Sequence, residues 1–128
     1  MSLRHLPDTN ILSAYLKRER AVVHRFREID YYLSSIVLGE LYTWAFMSAR
    51  KAERLSDVRI IAQTAQIVGV DEITSEFYGR LVMELEQSGS GVSKNDLWIA
   101  AQALQHNLTI VTRDSDFDRV PSVNVERW

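Results

Sequence analysis

Four acidic residues, Asp8, Glu40, Asp96 and Asp114, stand where they could do chemistry. Asp8 closes the apolar-to-acidic break Leu6-Pro7-Asp8-Thr9-Asn10. Asp114 lies in a second one, Ile110-Val111-Thr112-Arg113-Asp114-Ser115-Asp116-Phe117. Each break puts a carboxylate at the end of an expected buried strand, and in an open parallel sheet that edge is where ligands bind. Glu40 and Asp96 fall near or within expected helix starts. Two carboxylates about 5 Å apart repel by roughly 3 kcal/mol at an effective dielectric near 20. A set of them drawn to one edge therefore needs protons or cations to compensate it. Oxygen donors without His or Cys companions suit hard divalent ions such as Mg2+ or Mn2+. A cation held there can activate water and neutralise charge developing on a phosphodiester.

Each acid also has an ordinary structural explanation. Asp8 precedes an apolar helix and can be its N-cap, a contact worth about 1 kcal/mol; cap and ligand both stay open. Glu40 interrupts an apolar stripe, three residues after Val37 and four before Trp44. An acid there is costly unless it is coordinated, paired with an arginine, or placed at the rim of the stripe. Ser93-Lys94-Asn95-Asp96 has the form of a capping box, and negative charge is favourable in a first turn. That first turn also points toward the edge where Asp8 should lie. Asp114 and Asp116 could make Asx-type turn bonds instead. Asp114, nearer the strand end, is the main ligand candidate, and Asp116 a secondary or water-mediated one. Thr112 is a candidate to orient a carboxylate or phosphate, with Asn10 and Ser35 as weaker candidates. His5, His24 and His106 show no metal spacing and read as surface or strand-end residues. The Gly-rich phosphate loop of nucleotide hydrolases and dinucleotide binders does not follow the first strand.

The elements that must position these groups follow from hydrophobic spacing. Strands are expected at residues 4–7, 31–35, 66–70, 108–111 and 123–126. A helix runs from Thr9 through Leu16, and a short one covers residues 22–26. The next carries Ile36, Val37, Leu41, Trp44 and Met47 on one face. Further helices are expected over residues 51–64, from the Thr74-Ser75-Glu76 segment onward, and over 93–106. Ser88-Gly89-Ser90-Gly91 is the strongest breaker, because glycine takes backbone angles other residues resist. Short β-rich runs separated by helical patterns argue for an α/β domain with helices on both faces of a mainly parallel sheet. Right-handed crossovers then put the strand C-termini on one edge.

Composition is that of a folded domain: 128 residues with 46% hydrophobic and 25% charged, expected to form one domain over residues 1–128. The absence of cysteine excludes disulfides and zinc–sulfur sites. The formal charge of -2, from 15 basic and 17 acidic residues, argues against a non-specific coat on a polyanion. No secretory leader pattern and no apolar run near the roughly 20 residues of a membrane span are evident, so a cytoplasmic location is expected.

Four motifs carry a family likeness. They are Leu6-Pro7-Asp8-Thr9-Asn10-Ile11-Leu12, Ser34-Ser35-Ile36-Val37-Leu38-Gly39-Glu40-Leu41, Asn95-Asp96-Leu97-Trp98-Ile99-Ala100-Ala101-Gln102-Ala103 and Thr112-Arg113-Asp114-Ser115-Asp116-Phe117. In this order and spacing the sequence resembles the PIN-domain ribonucleases, specifically the VapC-type toxins of bacterial toxin–antitoxin systems, over nearly the full chain. The resemblance implies a three-layer fold around a mainly parallel five-stranded sheet. It implies that Asp8, Glu40, Asp96 and Asp114 surround Mg2+ or Mn2+, with Thr112 in support. It further implies internal RNA cleavage by metal-activated water, leaving a 5′-phosphate and a 3′-hydroxyl. A cognate antitoxin that wraps the toxin and reaches into its active site, a homodimer and larger toxin–antitoxin complexes belong to the same expectation. Lys94 and Arg113, each beside a proposed ligand, would steer RNA. Trp44 and Met47 could belong to a surface for antitoxin or a second subunit, although the spacing of Trp44 also suits the core. The RNA cut, the number of ions and the division of labour between Asp114 and Asp116 stay open. Competing readings are a non-catalytic partner-binding domain, and a DNA nuclease or phosphatase using similar metal chemistry. The paired aspartates of a covalent aspartyl phosphatase are missing.

Overall fold

The computed structural model describes residues 4–89 and 91–128. Among them, β1 (Arg4–Pro7), β2 (Asp30–Ser34), β3 (Gln66–Val68), β4 (Thr109–Thr112) and β5 (Asn124–Arg127) pair throughout in parallel, in the order β3-β2-β1-β4-β5. The strands are flanked by six helices. α1 (Thr9–Leu16) and α2 (Arg20–Phe26) join β1 to β2, and α3 (Ser35–Phe46) and α4 (Lys51–Thr64) join β2 to β3. α5 (Glu72–Ser88) and α6 (Lys94–His106) lead to β4, and a 3-10 turn at Asp116–Arg119 precedes β5.

β1 sits mid-sheet, and the chain reverses its direction of growth there. β2 and β3 are added on one side, β4 and β5 on the other. The crevice outside the C-terminal ends of β1 and β4 is therefore a topological switch point, where open α/β sheets take their ligands. β4 explains why its sequence shows no polar alternation: Thr109, Ile110, Val111 and Thr112 are all buried, as in a strand covered on both faces. Leu6 and Leu33 of the neighbouring strands are likewise buried, and α1 adds Ile11, Leu12 and Ala14 to the core.

A buried polar tie holds α6 to this frame. Gln102 and Ser34 are both fully buried, and the Ser34 hydroxyl donates to Gln102 Oε1 at 2.5 Å. Gln102 Nε2 donates to the carbonyls of Val68 (3.0 Å) and Gly69 (3.1 Å). Ser34 Oγ accepts in turn from the amides of Ile36 and Val37, which caps α3. Gln102→Met keeps the volume but strands a buried hydroxyl and two carbonyls. It should cost about 3 kcal/mol in urea unfolding. Adding Ser34→Ala should cost less than the sum of the two single changes. An unchanged midpoint for Gln102→Met would remove this tie from the account of the fold.

The expected mainly parallel five-stranded sheet is present, with every pairing in it parallel. Other expectations change. β3 stops at Val68, two residues early, because the carbonyls of Val68 and Gly69 face Gln102. α5 begins at Glu72, ahead of the Thr74 segment, because Asp71 and Thr74 cap each other reciprocally. Met47 is not on the core face: α3 ends at Phe46 and Met47 is 82% exposed. Trp44 is half-buried, with Lys17 Nζ 6.0 Å and the Arg54 guanidinium carbon 5.2 Å from its ring centroid. His5 is neither a surface nor a strand-end residue. It is buried within the sheet, with Nε2 3.2 Å from Glu126 Oε2. Of the expected breaker, Gly89 caps α5 at φ +67, a left-handed conformation that costs glycine little, while Ser90 lies outside the described residues. No helix among the described residues is long and apolar enough to cross a membrane.

Candidate functional site

Asp8 satisfies its structural role and still faces the crevice. Its amide donates to the Val111 carbonyl at 2.8 Å, continuing the β1–β4 ladder past Pro7. Its extended backbone then turns the chain into α1, and Oδ1 caps that helix by accepting from the Thr9 amide at 2.8 Å. Oδ2 accepts from the Thr112 hydroxyl at 3.0 Å. The carboxyl is almost wholly buried, and burial pushes its pKa from 3.8 up to about 6. The hydrogen bonds from Thr9 and Thr112 pull it down, while the charges of Asp96 and Asp114 raise it further.

Asp114 also has two attachments. Oδ1 accepts from the Asp116 amide at 3.1 Å, which is the Asx-type turn bond. Oδ2 accepts from Asn10 Nδ2 at 3.2 Å. Asn10 clasps the whole exit of β4: its Nδ2 also reaches Thr112 Oγ1 at 3.4 Å, and its Oδ1 accepts from the Arg113 amide at 3.3 Å. Thr112 is fully buried between Asp8 and this clasp.

Asp96 occupies the first turn of α6, its amide donating to the N-cap Ser93 Oγ at 3.2 Å. Burial raises its pKa, and the charges of Asp116, Asp114 and Glu40 add to that rise. Glu40 is half-buried beside the stripe of Val37, Leu41 and Ala45, at the rim rather than inside it. Its Oε1 accepts from the Thr9 hydroxyl at 2.9 Å. Asp116 is exposed at the start of the 3-10 turn.

The fold thus brings the acids together around Asp96 and Asp8: Asp96 feels the charges of Asp116, Asp114 and Glu40, and Asp8 feels those of Asp96 and Asp114. Among the described residues, no three His, Cys, Asp or Glu side chains stand close enough to enclose an ion as they are placed. The chemistry of the set suits one: the donors are all carboxylate oxygens, and at Asp8 and Asp96 burial and neighbouring negative charge both favour holding a proton. A hard divalent cation would relieve both.

The two expected steering residues are differently disposed. Lys94 is exposed at the start of α6, on the rim of a hollow that also involves Tyr78, Val82 and Leu97. Arg113 forms an ion pair with Glu19, whose pKa is held below the usual carboxylate range chiefly by that contact. The structure adds the Thr9 hydroxyl, through Glu40, and Glu19, through Arg113, to this region. A threonine opening a helix and an acid in a charged run carry no one-dimensional mark of a partner far along the chain.

The family model described as the PIN domain matches residues 6–123. Ribonuclease VapC4 from Mycobacterium tuberculosis is 34% identical over 125 residues, which is 95% of this chain and 95% of that protein. The structure of VapBC2 from Rickettsia felis bound to a DNA fragment from their promoter superposes with a TM-score of 0.89 at 30% identity, covering 98% of this chain and 99% of that one. VapBC-5 from Mycobacterium tuberculosis, a member of the VapBC family of toxin–antitoxin systems, superposes with a TM-score of 0.74 at 27% identity, covering 97% and 96%.

Proposed function

This chain belongs to the PIN-domain family as a VapC-type ribonuclease, the toxin of a toxin–antitoxin system, and on that premise we propose that it hydrolyses RNA internally with Mg2+ or Mn2+ held by Asp8, Glu40, Asp96 and Asp114. One observation carries the metal reading. A carboxyl buried at the sheet's switch point, Asp8, has its pKa pushed to about 6 and feels the charges of Asp96 and Asp114. When bound, the ion supplies Lewis acidity, making water a better nucleophile and offsetting charge that builds on the phosphate.

The chain's own residues do the positioning. Asp8 is oriented by the Thr9 amide and the Thr112 hydroxyl, so it meets a cation without first having to lose rotamer freedom. Asn10 and the Asp116 amide hold the two oxygens of Asp114. In this reading Asn10, Thr112 and Asp116 support the ligands. Lys94 offers positive charge beside Asp96. Arg113 does so beside Asp114, once RNA phosphate competes with Glu19 for it. Water attacks phosphorus, the 3′ oxygen leaves, and the products carry a 5′-phosphate and a 3′-hydroxyl.

A cognate antitoxin is the protein partner, in larger complexes of the kind named for VapBC2 and VapBC-5. Residues 1–128 act as one PIN domain, with a homodimer as the assembly unit and the cytoplasm, where RNA substrate is at hand, as the place of action. Purified protein with Mg2+ should be given RNA, DNA of matched sequence and a phosphomonoester. Cleavage of RNA alone, with 5′-phosphate ends, is expected. Equal cutting of DNA, or release of phosphate from the monoester, would reassign the substrate class.

A further inference from the structure

We infer that Thr9 is a positioning residue of the acidic centre, its amide and its hydroxyl setting Asp8 and Glu40 at a fixed separation and so setting the affinity for a divalent cation. The inference rests on the reading of these acids as cation ligands. Two groups of a single residue reach carboxylates from different parts of the fold. The amide donates to Asp8 Oδ1 at 2.8 Å, and the hydroxyl donates to Glu40 Oε1 at 2.9 Å, across 31 residues of sequence.

Helix capping accounts for only half of this. Any residue at the first position of α1 has an amide to offer Asp8, so the cap needs no particular side chain. The hydroxyl serves Glu40 alone. A glutamate near a helix rim has considerable rotamer freedom to lose on binding an ion. A donor already fixing one of its oxygens removes part of that loss and leaves Oε2 unengaged by this bond. Because Thr9 also donates its amide to Asp8, the Glu40 carboxylate it holds lies beside the Asp8 end of the crevice. The donor type also fits. A hydroxyl is neutral and leaves the carboxylate its charge, whereas a lysine or arginine in the same place would compete with the cation. Partners that orient ligands in this way typically control metal affinity by 10–100-fold.

The test uses the full chain, with Mn2+ alone as the probe, titrated calorimetrically near pH 7, and urea unfolding in EDTA as the structural readout. Thr9→Val keeps the shape and the capping amide but removes the hydroxyl. It should weaken Mn2+ binding about 10–100-fold with the EDTA unfolding midpoint unchanged. Thr9→Ser, which restores the hydroxyl, should recover most of the affinity. Wild-type affinity in Thr9→Val would overturn the inference, as would a Thr9→Ser variant no better than Thr9→Val. Loss of folding in EDTA would overturn it too, by making the hydroxyl a contact that maintains the fold. Asp8→Asn is the separate control: if it binds Mn2+ like the wild type, it is the ligand reading that fails.

Discussion

Asp8→Asn should lower RNA cleavage by about a thousandfold or more, equivalent to roughly 4 kcal/mol of lost transition-state stabilisation, in a protein that remains folded. Folding survives because asparagine retains Oδ1 to cap α1 through the Thr9 amide, and only the single bond from the Thr112 hydroxyl to Oδ2 is given up. The same substitution should stabilise the metal-free protein at neutral pH. The Asp8 pKa is about 6 when folded, against 3.8 as the ordinary value. Between those values the folded form holds more protons than the unfolded chain, so stability falls as pH rises through the window and stays reduced above it. The gap amounts to about 3 kcal/mol. Asp96 shifts in the same direction and adds to the trend. Urea unfolding in EDTA at several pH values from 4 to 8 reads this directly. The wild type should lose stability relative to Asp8→Asn as pH rises, and the two should converge near pH 4. Parallel curves would mean that Asp8 is not held as a strained carboxylate. Full activity in Asp8→Asn would end its catalytic role.

Removal of divalent ions should abolish cleavage, and Mg2+ or Mn2+ should restore it. Because an ion bound to the folded form alone stabilises by mass action, saturation at 100 times its dissociation constant adds about 2.7 kcal/mol. For a chain of this size that is a rise of roughly 10 °C in Tm. The rise should be smaller near pH 5 than at pH 7, since the ion then competes with the proton that burial retains on Asp8. It should be largely absent from Asp8→Asn. Thermal melts with and without Mn2+ at the two pH values measure all of this. Cleavage that persists through rigorous chelation, or a Tm indifferent to Mn2+, would remove the cation from the mechanism.

What could be read in one dimension was whatever is decided locally. The bounds of β1 and α4 follow from their own apolar spacing, and the α/β alternation from the succession of short β-rich and helical segments. Asp8, Asp96 and Asp114 stood out because each falls at an element end, where side-chain caps and strand exits leave a recognisable pattern, and Glu40 because it interrupts an apolar stripe. The Asn10 and Thr112 candidates came from the same two breaks. None of this indicated which acid meets which partner.

The tertiary structure alone decided the pairings, because they depend on the sheet order and on how each helix is rotated against it. Thr9 reaches Glu40 across 31 residues, Ser34 reaches Gln102 across 68 and Arg113 reaches Glu19 across 94. An amphipathic stripe says which face of a helix turns inward, but a stripe about 100° wide leaves its rim undefined. That is why Glu40 reads as an acid inside the stripe and stands beside it, and why Met47 reads as core and is exposed. Sequence supplied the carboxylates and the strand ends that carry them. Placing β1 between β2 and β4 brought those ends to one crevice, where burial and shared charge give Asp8 its raised pKa.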